Sequence, residues 1–162
     1  MHTTHVGSLP RGGELSSLLI AKDNDQPHDE NRFETVVQDS IDQAVQKQVA
    51  AGVSIVSDGE TGKVGYSTYM TERLGGFGGH VDRKPAKDLA AHPDLAKKLA
   101  AMMGSQEFVR ASCIGPVTLK NLQPAFDDIR RFKLALERHG NGVRGFMNAA
   151  SPGLITAFQQ NR

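Results

Sequence analysis

The chain has no tryptophan, a single cysteine and no excess of charge of either sign. One cysteine, Cys113, excludes an internal disulfide framework and suits a reducing compartment. Nineteen Lys and Arg against 18 Asp and Glu leave a net charge of +1, with no basic stripe. That balance argues against nucleic acid or an anionic membrane as the main partner. No apolar run approaches the ~20 residues of a membrane span. The N-terminus opens on polar residues and lacks a signal-peptide core. Together these absences point to a soluble, cytoplasmic protein. What is present is 162 residues, enough for one domain with a sizeable core, and 17 glycines that fit a loop-rich α/β chain.

The pattern along the chain alternates. "MHTTHVGSLPR" reads as a short strand ending in a Gly-Ser-x-Pro turn, and residues 21–30 are polar and loop-like. Phe33, Val36, Val37, Ile41, Ala44, Val45 and Val49 then recur every three or four residues, the stripe of an amphipathic helix. Asn31 with Glu34 offers a capping box at its start, and Gly52 stands where a C-terminal cap belongs. Val53 to Val56 is a short β-branched run without alternation, a buried and parallel strand. Residues 61–87 read as irregular. A short helix is expected over Pro93 to Met103, with Met102 and Met103 filling core. A third strand is expected over Phe108 to Ile114, interrupted by Gly115-Pro116. Pro124 opens a further helix with Ala125, Ile129, Phe132 and Leu136 on its apolar face. Val143 to Met147 forms a fourth strand. Alternation of this kind implies a parallel sheet, and such sheets bind ligands at the carboxyl ends of their strands. The turns there are "GSLP", "SDGE", "GPVT" and "NAASPG".

"SDGETGKVG" needs care, since an apolar run feeding Gly-Glu-Thr-Gly-Lys resembles a phosphate-binding loop. That loop requires G-x-x-x-x-G-K-[ST]. The first glycine would have to stand at Ser57, and Lys63 is followed by Val64, so both ends fail. Metal binding by histidine is also disfavoured: His2 and His5, three apart in a strand, point to opposite faces. Cys113, inside an apolar strand, reads as buried core.

The turns taken together resemble the cobalamin-independent methionine synthase family. The likeness lies in "TTHVGSLPR" at 3–11, "QAVQKQVAAGVSIVSDGE" at 43–60, the spaced Tyr69 to Phe77 segment ending "RLGGF", "GPVT" at 115–118 and "FMNAASPG" at 146–153. They stand in family order. The resemblance implies a (β/α)8 TIM barrel of which this chain, 1–162, is a single domain carrying roughly the first four strands. Residues 61–105 would be an excursion between the second and third. It implies a methyltransferase of methionine biosynthesis, a 5-methyltetrahydropteroyltriglutamate–homocysteine S-methyltransferase, with homocysteine or a similar small thiol and a methyltetrahydrofolate as partners and zinc as cofactor. Gly7 and Ser8 would bind the amino-acid carboxylate, Glu60 the ammonium, and Thr118 would lie near the folate.

The family's zinc ligands have no counterpart in this chain, so the resemblance implies an incomplete and inactive polypeptide without a zinc-bearing C-terminal half. Two alternatives follow. One is an epoxyalkane–coenzyme M type zinc alkyltransferase, on the same kind of barrel. The other is a non-catalytic, truncated or partner-dependent binding subunit, whose unpaired outer strands would favour self-association or pairing with a C-terminal half.

Overall fold

The apolar stripe at 33–49 forms the central element of the chain. The structure, a computed structural model, describes residues 1–79, 87–103, 111–159 and 161. In order, the elements are α1 (Gly13–Asp23), α2 (Glu30–Ala50), β1 (Ile55–Ser57), α3 (Tyr66–Arg73), β2 (Leu74–Gly78), α4 (Lys87–Ala90), α5 (Pro93–Met103), β3 (Ser112–Leu119), α6 (Gln123–His139), β4 (Arg144–Phe146) and α7 (Pro152–Phe158).

Helix α2 buries Phe33, Val37, Ile41, Ala44 and Val45 along one side. Leu15 and Leu19 of α1, Val56 of β1, and Phe132 and Ala135 of α6 complete the core. Its N-cap is Asp29, which accepts from the N–H of Arg32 at 3.0 Å. The capping box expected at Asn31 and Glu34 does not form. Asn31 lies inside the helix, and Glu34 instead pairs with Arg130 and Arg131 of α6. At the other end Gly52, at φ +74°, donates to Val49 O and Val53 donates to Gln48 O, both at 3.0 Å. This is a Schellman cap, which favours glycine at the left-handed position.

β1 pairs in parallel with β4, Ile55 opposite Arg144 and Ser57 opposite Phe146. On the N-terminal side Thr4 forms a single parallel bridge to Ile55. The expected first strand is therefore one bridge long, held by the Thr4 hydroxyl on Ile55 O at 2.7 Å. α6 lies against β4, where a Cβ on Gly145 would come within 2.8 Å of Phe132 ring carbons.

Several expectations differ from the structure. Residues 21–23 belong to α1, which Leu15 and Leu19 hold to the core. The segment 61–87 is not irregular throughout, since it carries α3, anchored by buried Tyr69 and Met70, and β2. β3 runs unbroken through Gly115-Pro116 and pairs antiparallel with β2 in a separate ribbon, outside the parallel sheet. Cys113 is half-buried on that ribbon. On α6 the buried positions are Asp128, Arg131, Phe132 and Ala135, while Ile129 is exposed. Two buried charged residues turn the covered face away from the purely apolar one. Phe108 to Arg110 of the expected third strand, and the side chains of Met102 and Met103, lie outside the described residues. No described helix is long and apolar enough to cross a membrane.

Candidate functional site

Three parallel segments end on the same side, and the residues just past each end meet at Glu60. Ser8 follows the Thr4 bridge, Glu60 follows β1, and Asn148 follows β4. Ser8 Oγ donates to Glu60 Oε2 at 2.7 Å. Asn148 Nδ2 donates to Oε1 at 2.9 Å, and the Tyr66 hydroxyl, from the first turn of α3, donates to the same oxygen at 3.0 Å.

The backbone that presents Glu60 is unusual and tightly braced. Gly59 and Glu60 both lie in the left-handed region, at φ +63° and +55°. A non-glycine residue there carries strain and is held by its surroundings. Asp58 Oδ1 accepts from the Glu60 N–H at 3.0 Å. Gly59 O accepts from Leu9 N at 2.9 Å, and a Cβ on Gly59 would sit 2.8 Å from Leu9 Cδ1. Arg11 closes the loop by donating from Nη2 to Glu60 O at 2.9 Å and to Lys63 O at 2.6 Å. Behind it Gln48, buried on α2, bonds both backbone groups of Ser57. Its Nε2 donates to Ser57 O at 2.8 Å and its Oε1 accepts from Ser57 N at 3.0 Å. A side chain thereby satisfies the last residue of β1 as a neighbouring strand would.

Beneath the loop lies a buried ionic cluster. Lys63 Nζ is 2.9 Å from Asp58 Oδ2 and 3.4 Å from Asp128 Oδ2. Tyr69 donates a short hydrogen bond to the same Asp128 oxygen, and Arg131 reaches Asp128 Oδ1 at 3.3 Å. Burial and the Asp128 charge both push the Tyr69 phenol up, so it stays a donor.

Glu60 itself meets no Lys, Arg or His in an ion pair among the described residues. Partial burial pushes its carboxyl up. The hydrogen bonds from Asn148, Ser8 and Tyr66, with the charge of Lys63 nearby, outweigh that and hold it below the ordinary value. The result is an ionised carboxylate at a strand-end rim, oriented by neutral donors. Such a group is suited to a charge-assisted hydrogen bond from a ligand cation.

Of the residues singled out in the sequence, Ser8 and Glu60 are in direct contact, and Gly7 adjoins them. Gly7 lies at φ +110° with nothing within 4 Å of where a Cβ would stand, so its backbone is approachable. Thr118 is elsewhere: it is exposed on β3, opposite Gly75 of the ribbon. Sequence reasoning missed Tyr66, Gln48 and the role of Asn148. Gln48 carried a signal, as a polar residue in register with Ile41, Ala44 and Val45 on the apolar stripe. Tyr66 carried none. His5 bonds Gly7 O through Nε2 at 3.1 Å. Among the described residues no three His, Cys, Asp or Glu side chains are grouped so as to hold a metal ion.

No family model matches the chain, and no curated protein does. Among solved structures the chain is similar to a B12-independent methionine synthase from Shewanella sp. W3-18-1, determined in complex with selenomethionine. The TM-score is 0.57 at 19% sequence identity, over 98% of this chain and 40% of that one. At that identity the likeness is one of fold: a mixed helix-and-strand chain with open sheets, similar to part of a methionine synthase.

Proposed function

We propose that this chain is part of a methionine synthase-like (β/α)8 barrel, and that the rim at Ser8, Glu60 and Asn148 holds the amino end of a homocysteine- or methionine-like amino acid. The observation that carries the reading is the meeting of three parallel segment ends at one ionised carboxylate that has no ion-pair partner among the described residues. Parallel α/β folds place ligands at that edge. The solved neighbour holds selenomethionine, an amino acid of this class, which supports the choice of ligand.

In this reading Glu60 accepts from the ligand ammonium, and Gly7 and Ser8 receive its carboxylate. Glycine permits close backbone approach, and the Gly7 and Ser8 N–H groups are the donors, since the one Ser8 hydroxyl proton is held by Glu60 Oε2. Thr118 keeps the role the resemblance gives it, a hydroxyl on the methyl-donor side. The transfer itself is thiol alkylation: a thiolate attacks a methyl carbon in line with the departing nitrogen, and holding the amino-acid end fixes that line. The family's zinc does not fit the described residues. Cys113 lies on the β2–β3 ribbon with its thiol on Gly115 O at 3.4 Å, and His5 is engaged at Gly7 O. No step is assigned to a metal held by this part of the chain.

The test is calorimetric binding of L-methionine against its analogue with a hydroxyl in place of the amino group. Loss of one charge-assisted hydrogen bond predicts at least about tenfold weaker binding of the analogue. Equal affinities, or no binding of L-methionine, would overturn the reading.

One observation favours a partner-dependent form of it. β4 has an unpaired outer edge among the described residues, and Leu122, Phe126 and Ile129 stand exposed on one side of α6. Open edges and apolar faces favour association. The isolated chain is expected to sediment as a dimer or larger, and a monomer at tens of micromolar would contradict this.

A further inference from the structure

The two oxygens of Glu60 are not equivalent. A carboxylate offers about four acceptor sites, two on each oxygen. Oε1 has both occupied, by the Tyr66 hydroxyl at 3.0 Å and Asn148 Nδ2 at 2.9 Å. Oε2 has one, taken by Ser8 Oγ at 2.7 Å. The backbone under the side chain is fixed as well, by the Asp58 bond to the Glu60 N–H. We propose that Tyr66 and Asn148 are positioning residues that saturate Oε1 and lock the carboxylate plane, so that Oε2, beside Ser8, is the oxygen that takes the ligand's cation. This rests on the ammonium-binding role given to Glu60 above.

The consequence for ligand class is specific. With one open acceptor on Oε2, the site takes a single N–H from the incoming group. A primary ammonium satisfies that with one proton and turns its remaining protons elsewhere. A planar guanidinium, which pairs with carboxylates through two parallel bonds, one to each oxygen, finds Oε1 already filled. The site therefore selects amino-acid ammonium over guanidinium through occupancy, without a steric wall. Tyr66 and Asn148 come from different elements, α3 and the end of β4, so the clamp also depends on the parallel pairing of β1 with β4.

The test uses the full chain with Tyr66→Phe and Asn148→Ala, each read in two ways, and with Glu60→Gln, read by binding alone. The first readout is the titration of the Glu60 carboxyl, followed by carbon-13 NMR. The second is L-methionine binding by calorimetry, with methylguanidinium as the competing cation. Removing either donor is expected to raise the Glu60 titration midpoint, to weaken L-methionine by about tenfold and to narrow the preference for it over methylguanidinium. Tyr66→Phe keeps the ring and its packing, so it separates the lost hydroxyl from a folding defect. A midpoint unmoved in both variants, while Glu60→Gln still abolishes L-methionine binding, would overturn the clamp alone. Glu60→Gln binding L-methionine as tightly as the parent would overturn the ammonium reading on which the clamp's ligand step rests.

Discussion

Replacing Lys63 by Met is the sharpest test of how the rim is supported. Lys63 is 5% exposed and shares its ammonium between Asp58 and Asp128, themselves 3% and 5% exposed. Methionine has nearly the same length and fills the same space, so the change removes charge with little loss of packing. Breaking a buried pair by deleting one partner typically costs ~3–5 kcal/mol, because the other charge stays buried and uncompensated. Here Asp128 retains Arg131 at 3.3 Å, whereas Asp58 loses its only ion-pair partner among the described residues. One stranded carboxylate, not two, places the loss near the lower end, about 3 kcal/mol. At about 2–4 °C per kcal/mol for a chain of this size, Tm should fall by roughly 6–12 °C. Urea unfolding should show the midpoint falling with its slope unchanged. The double variant Lys63→Met, Asp58→Asn should recover part of the loss, since the stranded charge is gone. A loss below about 1 kcal/mol, the range of an exposed pair, would refute the reasoning.

Gln48→Leu keeps the apolar stripe of α2 but strips the Ser57 backbone of both its hydrogen bonds to Gln48, and should cost ~1–3 kcal/mol in urea unfolding. A neutral or stabilising result would mean that Ser57 finds other partners. Gly59→Ala meets both a left-handed φ and Leu9 Cδ1 at 2.8 Å, so a loss above about 1 kcal/mol is expected from the same measurement. Glu34 gives a pH dependence. The hydrogen bond from Arg131, against burial and with help from Arg130, holds its carboxyl down from 4.5 to about 2. A carboxyl depressed in the folded state binds fewer protons there, so its contribution is present in full above about 4.5 and is lost as pH falls towards 2. The stability gap between the parent and Glu34→Gln should therefore shrink across that window in acid unfolding, and a constant gap would contradict it.

How much of this was legible in the sequence depends on whether a signal was local. The stripe from Phe33 to Val49, the Gly52 cap, Pro124 at the head of α6 and the β-branched run before Asp58 are local signals, and the elements stand where they pointed. α3 was hidden because nothing in "YSTYMTER" repeats as an apolar stripe. Its place is set by Tyr69 reaching Asp128, 59 residues away. α7 was read as a turn from "NAASPG". Yet Ser151 caps it by accepting from Leu154 N at 3.1 Å and Pro152 begins it, so the same residues served a helix start. The antiparallel pairing of β3 with β2 was invisible for a similar reason: alternation of strands and helices says which elements occur, and long-range register says which of them pair. Glu60 and Ser8 were legible through the motifs around them, while Tyr66 and Asn148 become partners only once α3 and β4 are in place.

The account turns on Glu60 as the cation-binding point of an amino-acid site, and a crystal structure with L-selenomethionine bound tests that most directly. The selenium locates the ligand without ambiguity. The account predicts its ammonium nitrogen at hydrogen-bonding distance, about 2.7–3.2 Å, from Glu60 Oε2, with its carboxylate against Gly7 and Ser8. Selenomethionine seated away from the rim, or with its ammonium turned from Glu60, would contradict it.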